Sequence, residues 1–258
     1  MTIQYLSDLH LEFTENRLFM QRLHPKVTGD ILLIAGDSFY LGDDDIFKSD
    51  FLKWAADNYE QVLMIPGNHE YYGGCDLKQM GEKWEWKLMT NVSYYYNKVV
   101  TIGDTDFILS TLWSHITPQH KKSVGYFLTD FHRIKYHGRK FTTDDYNAEH
   151  ELCLDFIRKS INSSKAAHRV VVSHHLPTHH CTPHKLKVIR DGTLVDAFTI
   201  DLTDYIKSVP IDYWIYGHSH LNFGVSLGGT LVTSNQLGYV FHRDYEWNGF
   251  DFSKSLIL

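Results

Sequence analysis

The feature that most constrains this chain is a set of short apolar runs, each ending in a cluster of Asp, Asn or His. Ile31–Ala35 is apolar throughout, and Gln61–Ile65 nearly so. Such runs suit strands buried on both faces of a sheet. Ile3–Ser7, Arg169–Ser173 and Ile211–Tyr216 read as further strands. Residues 43–59 carry Ile46, Phe51, Leu52 and Ala55 at helical spacing, and residues 76–90 read as a second helix. Residues 142–161 predict a third, with Thr142 and Thr143 as cap candidates and Tyr146, Leu152, Phe156 and Ile157 as its apolar stripe. Gly103-Asp104 and Gly228-Gly229 each separate two strand-like runs, which signals hairpins. Residues 112–141 fit no regular element. The alternation predicts an α/β sandwich with mixed sheets, helices outside, and a site at the carboxyl ends of the strands.

At 258 residues the chain suits one α/β domain spanning 1–258, with variable loops at about 112–141 and 176–197. Apolar residues make up 43% and charged residues 22%, an ordinary globular mix that argues against disorder. The apolar runs are too short for a transmembrane helix, so no membrane partner is expected. The opening MTIQYLSDLH has no basic stretch leading into an apolar one, and Cys75, Cys153 and Cys181 are an odd, scattered set. Both point to a cytoplasmic protein with reduced thiols. A net charge of -6 disfavours a uniformly basic nucleic-acid binder.

Seventeen histidines are present, and position decides which matter. Five clusters follow predicted strands: Asp8-Leu9-His10, Gly36-Asp37, Gly67-Asn68-His69-Glu70, His174-His175 and Gly217-His218-Ser219-His220. Each alone has a bland explanation. Asp37 could cap a helix, Asn68 could shape a turn after Pro66-Gly67, and His218 and His220 could be loop residues. The bland reading has to hold five times, in order, always just after a strand.

The ordered set SDLH, AGDS, PGNHE, VVSHH and YGHSH resembles the calcineurin-like metallophosphoesterase superfamily, whose pattern is D-x-H, G-D, G-N-H-[DE], H, G-H-x-H. The resemblance runs from residue 7 to about residue 239. SDLHLEF, PGNHEYY and SNQLGY look like its small bacterial-type members of unassigned substrate. It implies a metallophosphoesterase-type fold and two divalent metal ions. By similarity, Asp8, His10 and His220 complete one metal site with Asp37, and Asn68, His174 and His218 the other. Asp37, alone in its motif, is the natural bridging carboxylate, because two adjacent cations need an anion between them. If the chain is extended there, residues i and i+2 share a face, which would aim both His218 and His220, and both Asp8 and His10, at the metals.

Carboxylate, imidazole and amide ligands without thiolate suit Mn, Fe, Zn or Ni, with manganese a candidate. Two such ions can neutralise phosphoryl charge and supply a nucleophile. The implied activity is hydrolysis of phosphate esters, as a phosphomonoesterase or phosphodiesterase, with a metal-bridging hydroxide as nucleophile. The substrate would be a small phosphorylated molecule or nucleotide. A nuclease acting on short nucleic acid with the same core is the alternative, and a non-catalytic scaffold a third. In the family the position of His69 is a non-coordinating histidine that assists the leaving oxygen. Glu70 could orient His69 or be a helix-start acid. One of His174 and His175 is the ligand; His174 is preferred because it directly ends its strand.

Residues 112–141 hold six cations, among them Lys121, Lys122 and Arg133, against the single acid Asp130. Residues 176–190 add Lys185, Lys187 and Arg190 with no acid. These loops are expected to form a cationic rim that focuses anionic substrates on the metals.

Overall fold

The computed structural model describes residues 1–23 and 25–258, with Arg190 described by its backbone alone. The side chain of Arg190, counted above in the cationic rim, therefore lies outside the described residues. Two six-stranded mixed sheets are stacked face to face. The first runs β14-β1-β2-β3-β5-β4, built from β1 (Thr2–Leu6), β2 (Ile31–Ala35), β3 (Gln61–Ile65), β4 (Trp84–Met89), β5 (Val92–Tyr96) and β14 (Ser255–Ile257). The second runs β12-β13-β11-β10-β7-β6, from β6 (Lys98–Ile102), β7 (Thr105–Leu109), β10 (His168–Val172), β11 (Tyr213–Tyr216), β12 (Gly224–Leu227) and β13 (Thr230–Ser234). Central strands are parallel; the edge strands β14, β4, β12 and β6 are antiparallel.

Alternate residues explain the continuous apolar runs. Ile31, Leu33 and Ala35 of β2 meet Phe107, Leu109, Val170 and Val172 inside the sandwich. Leu32 and Ile34 point outward to a cluster with Leu52 and Ala55 of α2 (Asp50–Asn58) and Met20 of α1 (Thr14–Arg22). On the other sheet, Val171 and Trp214 pack under Leu154, Ile157 and Ile161 of α5 (Thr143–Ser163) and Ile206 of α7 (Thr203–Ser208). Each such fully buried side chain stabilises the fold by about 1.5–3 kcal/mol of transfer free energy. Thr142 caps α5 through a capping box with Asp145, as its position in the sequence suggests.

Three element expectations are corrected. The predicted helix at 76–90 is instead a turn region followed by β4. Trp84 and Trp86 alternate, and each stacks on its cross-strand partner, Tyr96 and Tyr94, with interplanar angles of 10° and 20°. These aromatic pairs outweigh helical spacing. The predicted helix at 43–59 is broken at Ser49, whose hydroxyl accepts from the Leu52 N–H and starts α2 afresh. Residues 112–141 are not irregular: they hold α3 (Lys121–Phe127), α4 (Asp130–Arg133) and the small hairpin β8 (Lys135–Tyr136) and β9 (Arg139–Lys140). A short helix α6 (His184–Val188) lies in the second variable loop.

The parallel strands all deliver their ends to one edge, where the loops are laced together. Asp8 N–H donates to the Gly36 carbonyl, His10 N–H to Asp37 O, and Gly217 N–H to His174 O. Ser7 N–H bonds Asn235 O, and Leu237 N–H bonds Ser7 O, so the two sheets are stitched together at this edge.

Candidate metal centre and active site

Asp8, His10, Asp37, His218 and His220 all adopt left-handed backbone, with φ of 53°, 47°, 54°, 77° and 54°. This conformation costs a non-glycine residue about 1–3 kcal/mol and persists where surrounding structure imposes it. The expectation of extended D-x-H and H-x-H segments is therefore corrected. Ser219 N–H bonds the Gly217 carbonyl two residues back, closing a γ-turn on His218. Turns, and not pleating, aim these side chains inward.

All seven side chains named as metal ligands converge. Asp8, His10 and His220 offer ligand atoms within 4.8 Å of one another, as do Asp37, His174 and His218. Oδ2 of Asp37 lies 3.3 Å from His174 Nε2 and 4.0 Å from His10 Nε2, which puts one oxygen between the two groups. Asn68 Oδ1 is 3.1 Å from His174 Nε2. His174 joins the cluster, and its neighbour His175 stands behind it, with its ring 4.3 Å from that of His218.

The imidazoles are held by their far nitrogens. Nδ1 of His10 meets Glu12 at 3.0 Å, Nδ1 of His174 the Ala35 carbonyl at 2.9 Å, and Nδ1 of His220 Asp244 at 3.2 Å. Such partners fix the tautomer and present Nε2 to the centre. The Asn68 amide donates to Tyr72 and Asp130, which turns its carbonyl oxygen inward. His218 Nε2 is buried without a hydrogen-bond partner, a demand that a cation would satisfy. The donors present suit a divalent ion of the Mn, Fe, Zn or Ni type.

Glycines of three motifs are sterically required. A Cβ on Gly36 would run into the His174 ring and one on Gly67 into the Asp37 carboxylate; one on Gly217 would lie 2.7 Å from Asp8 Oδ2.

Burial alone would raise the Asp37 carboxyl, but His174, His69 and His10 hold it well below the usual range. Burial would lower His69 and His174, yet Asp37 outweighs it, helped by Glu12 for His69, and both imidazoles are pushed up to about 9. His218 lies well below its ordinary value through burial and the neighbouring imidazoles His175 and His174.

His69 follows Asn68 at the start of a single 3-10 turn. Its Nδ1 is 3.0 Å from Glu12 Oε1, and its Nε2 is 3.3 Å from the Tyr239 hydroxyl. Of the two roles left open for Glu70, orienting His69 is corrected, since Glu12 does that, and Glu70 stands as the acid in the first turn of this 3-10 helix. Glu70 is fully buried and accepts from the backbone N–H groups of Asp37, Ser38 and Gly67 and from the Tyr94 hydroxyl. It shapes the loops that carry Asp37 and Asn68. Burial and the nearby Asp37 push Glu70 up to about 8, against the pull of its N–H donors.

The cationic rim is corrected for its first loop, although Lys185 of the second does line the cleft over the centre. Lys121 is paired with Asp144, and neither it nor Lys122 lines the cleft over the centre. Arg133 lies behind Tyr72, donating to its carbonyl oxygen at 3.0 Å. The residues that sequence reasoning missed are Glu12, Tyr72, Asp130, Tyr239 and Asp244. Glu12, Tyr72 and Tyr239 had a weak signal, as the residues within or at the end of SDLHLEF, PGNHEYY and SNQLGY; Asp130 and Asp244 had none, since they reach the site by tertiary packing.

Two mixed sheets with helices outside, and a His/Asp/Asn cluster at the strand ends, define a metallophosphoesterase-type sandwich. The chain belongs to the calcineurin-like phosphoesterase family, whose sequence model matches residues 1–222. The family is metal-dependent. An uncharacterized protein, L509, of Acanthamoeba polyphaga mimivirus is 28% identical over 276 residues, covering 94% of this chain and 92% of the viral one. Phosphopantetheinyl hydrolase from Mycobacterium tuberculosis shares the fold, with a TM-score of 0.72 at 18% identity over 99% of this chain and 95% of that one. TT1561 of Thermus thermophilus aligns with a TM-score of 0.52 at 8% identity, over 98% and 90%. No helix among the described residues is long and apolar enough to cross a membrane.

Proposed function

We propose that the chain is a dinuclear-metal phosphoester hydrolase, acting as one catalytic domain over residues 1–258. The observation that carries this reading is the position of Asp37 Oδ2 between His10 and His174, with the other ligand candidates on either side. Asp8, His10, Asp37 and His220 would hold one ion, and Asp37, Asn68, His174 and His218 the other. Bound there, the ions supply charge neutralisation for the phosphoryl oxygens and a nucleophile at neutral pH.

The chain's own residues do the rest. Glu12 accepts from Nδ1–H of His69, and with this imidazole pushed up to about 9 the ring is a doubly protonated imidazolium at neutral pH, so the proton to be delivered sits on Nε2, on the side of the cleft. From there His69 donates to the leaving ester oxygen. Tyr239, 3.3 Å from that nitrogen, limits the ring's rotation. The three thiols are free, which fits a reducing cytoplasm.

The test is hydrolysis of p-nitrophenyl phosphate and bis-p-nitrophenyl phosphate by metal-loaded protein. His69→Ala should lower turnover by about 10²–10⁴-fold while metal content stays at the wild-type level. Full turnover in that variant removes the role of His69. Failure of the wild type on both esters removes the hydrolase reading.

A further inference from the structure

The cleft over Asp37 and His69 encloses about 300 Å³. Its floor is the ligand cluster; its walls are dominated by apolar and aromatic side chains. Phe127 and Leu128 stand at the end of α3, Leu186 comes from α6, and Phe198 and Tyr239 close the remaining sides. Among the described residues, Lys185 is the one lysine or arginine that lines it. Its ammonium lies 5.2 Å from the Trp247 ring centroid. Two carboxylates, Asp37 and Asp130, also line the cleft, and Asp130 is taken up by Asn68 and Tyr72. Of the cations that the sequence places nearby, Lys121 is engaged on Asp144, Arg139 on Asp145 and Arg133 on the Tyr72 carbonyl.

A nucleic-acid strand or a nucleoside polyphosphate brings several negative charges that need cations along its path. This cleft offers one lysine beyond the metal centre. Apolar walls instead reward a substituent that leaves water on binding. Resting on the phosphoesterase reading, we propose that the cleft selects esters of a single phosphate with a bulky apolar or aromatic alcohol. Phe127, Leu128 and Leu186 seat that substituent. Lys185 meets the remaining charge of the phosphoryl group.

Two measurements on the full chain loaded with Mn²⁺ test this. Calorimetry compares 1-naphthylphosphonate with methylphosphonate, and turnover compares hexyl phosphate with glycerol phosphate, whose alcohol is the better leaving group, so a preference for the hexyl ester cannot come from leaving ability. The expected result is a preference of at least about tenfold for the apolar member of each pair, falling toward one in Leu128→Ala and Phe127→Ala. Circular dichroism confirms that each variant is folded. A ratio near one in the wild type, or an ATP turnover above that of hexyl phosphate, overturns the inference and leaves the hydrolase reading standing. Tight, selective phosphonate binding with no turnover of any ester sinks the hydrolase reading and keeps the selectivity of the cleft.

Discussion

Oε1 of Glu12 stands 3.0 Å from Nδ1 of His69, and the same oxygen is 3.0 Å from Nδ1 of His10. A single carboxylate atom thus ties the proposed proton donor to a proposed metal ligand. Glu12 is itself held well below its ordinary range, at about 2; burial opposes this, and His10 and His69 overcome it. The charged form is the one that orients both rings.

Glu12→Gln should therefore weaken the reaction without emptying the centre. Carboxylate partners of metal-site imidazoles are worth about 10–100-fold in affinity or activity. Turnover is expected to fall by that factor, with KM changed much less. Steady-state kinetics on bis-p-nitrophenyl phosphate checks it. Unchanged turnover would remove Glu12 from the mechanism.

The glycines of the AGD, PGN and YGH motifs make a separate prediction. Gly67→Ala adds one methyl group where the Asp37 carboxylate and the His174 ring already sit. No ligand is lost, yet metal binding should drop by at least about tenfold, because Asp37 must move. Gly229→Ala, where a Cβ meets nothing within 4 Å, is the matched control and should bind metal normally. Titration with Mn²⁺ separates the two.

Glu70 makes a prediction about stability. Glu70→Ala leaves three backbone N–H groups and the Tyr94 hydroxyl without their acceptor. Each orphaned buried group costs about 1–3 kcal/mol, so a loss of at least about 3 kcal/mol is expected. For a chain of this size that lowers Tm by roughly 6–12 °C. Thermal unfolding of the metal-free protein reads this directly; a Tm within about 2 °C of wild type would contradict the role assigned to Glu70.

How much of this was legible in the sequence follows from how the residues meet. β2 and β3 match their apolar runs residue for residue, because strands buried on both faces leave no polar gap. The seven ligand candidates were legible for a related reason: each follows a strand, and parallel strands share one carboxyl edge. Asp130 was not legible. It is the single acid in a stretch read as cationic, and its carboxylate reaches Asn68 across 62 residues of sequence. Asp244 is likewise brought to His220 by a segment that carries no motif, whereas Tyr239, which reaches His69, closes the SNQLGY stretch. The first loop's part of the cationic rim failed because net charge in a loop does not reveal which acids α5 supplies as partners, while Lys185 of the second loop does line the cleft. Asp144 and Asp145 sit in its first turn, where they favour the helix N-terminus and also capture Lys121 and Arg139.

The thiols give a prediction with a pH sign. Cys153 and Cys181 are buried, and burial pushes both up to about 11. Below that value they stay protonated and unreactive, since the thiolate is the nucleophile. Cys75 is half-buried; burial and the nearby Asp76 raise its thiol as well, so it reacts slowly, but its sulfur is not sealed in the core as the other two are. At pH 8, Ellman's reagent should titrate one thiol in the folded protein and all three in denaturant; three fast thiols in the folded protein would contradict the packing described.

The central claim is that seven side chains from five strand ends enclose two divalent ions, with Asp37 between them. Inductively coupled plasma mass spectrometry on protein reconstituted with Mn²⁺ and desalted tests it most directly, read alongside Asp37→Asn. The account predicts two ions per wild-type chain and fewer than one in the variant. One ion or none in the wild type, or two retained in Asp37→Asn, would contradict it.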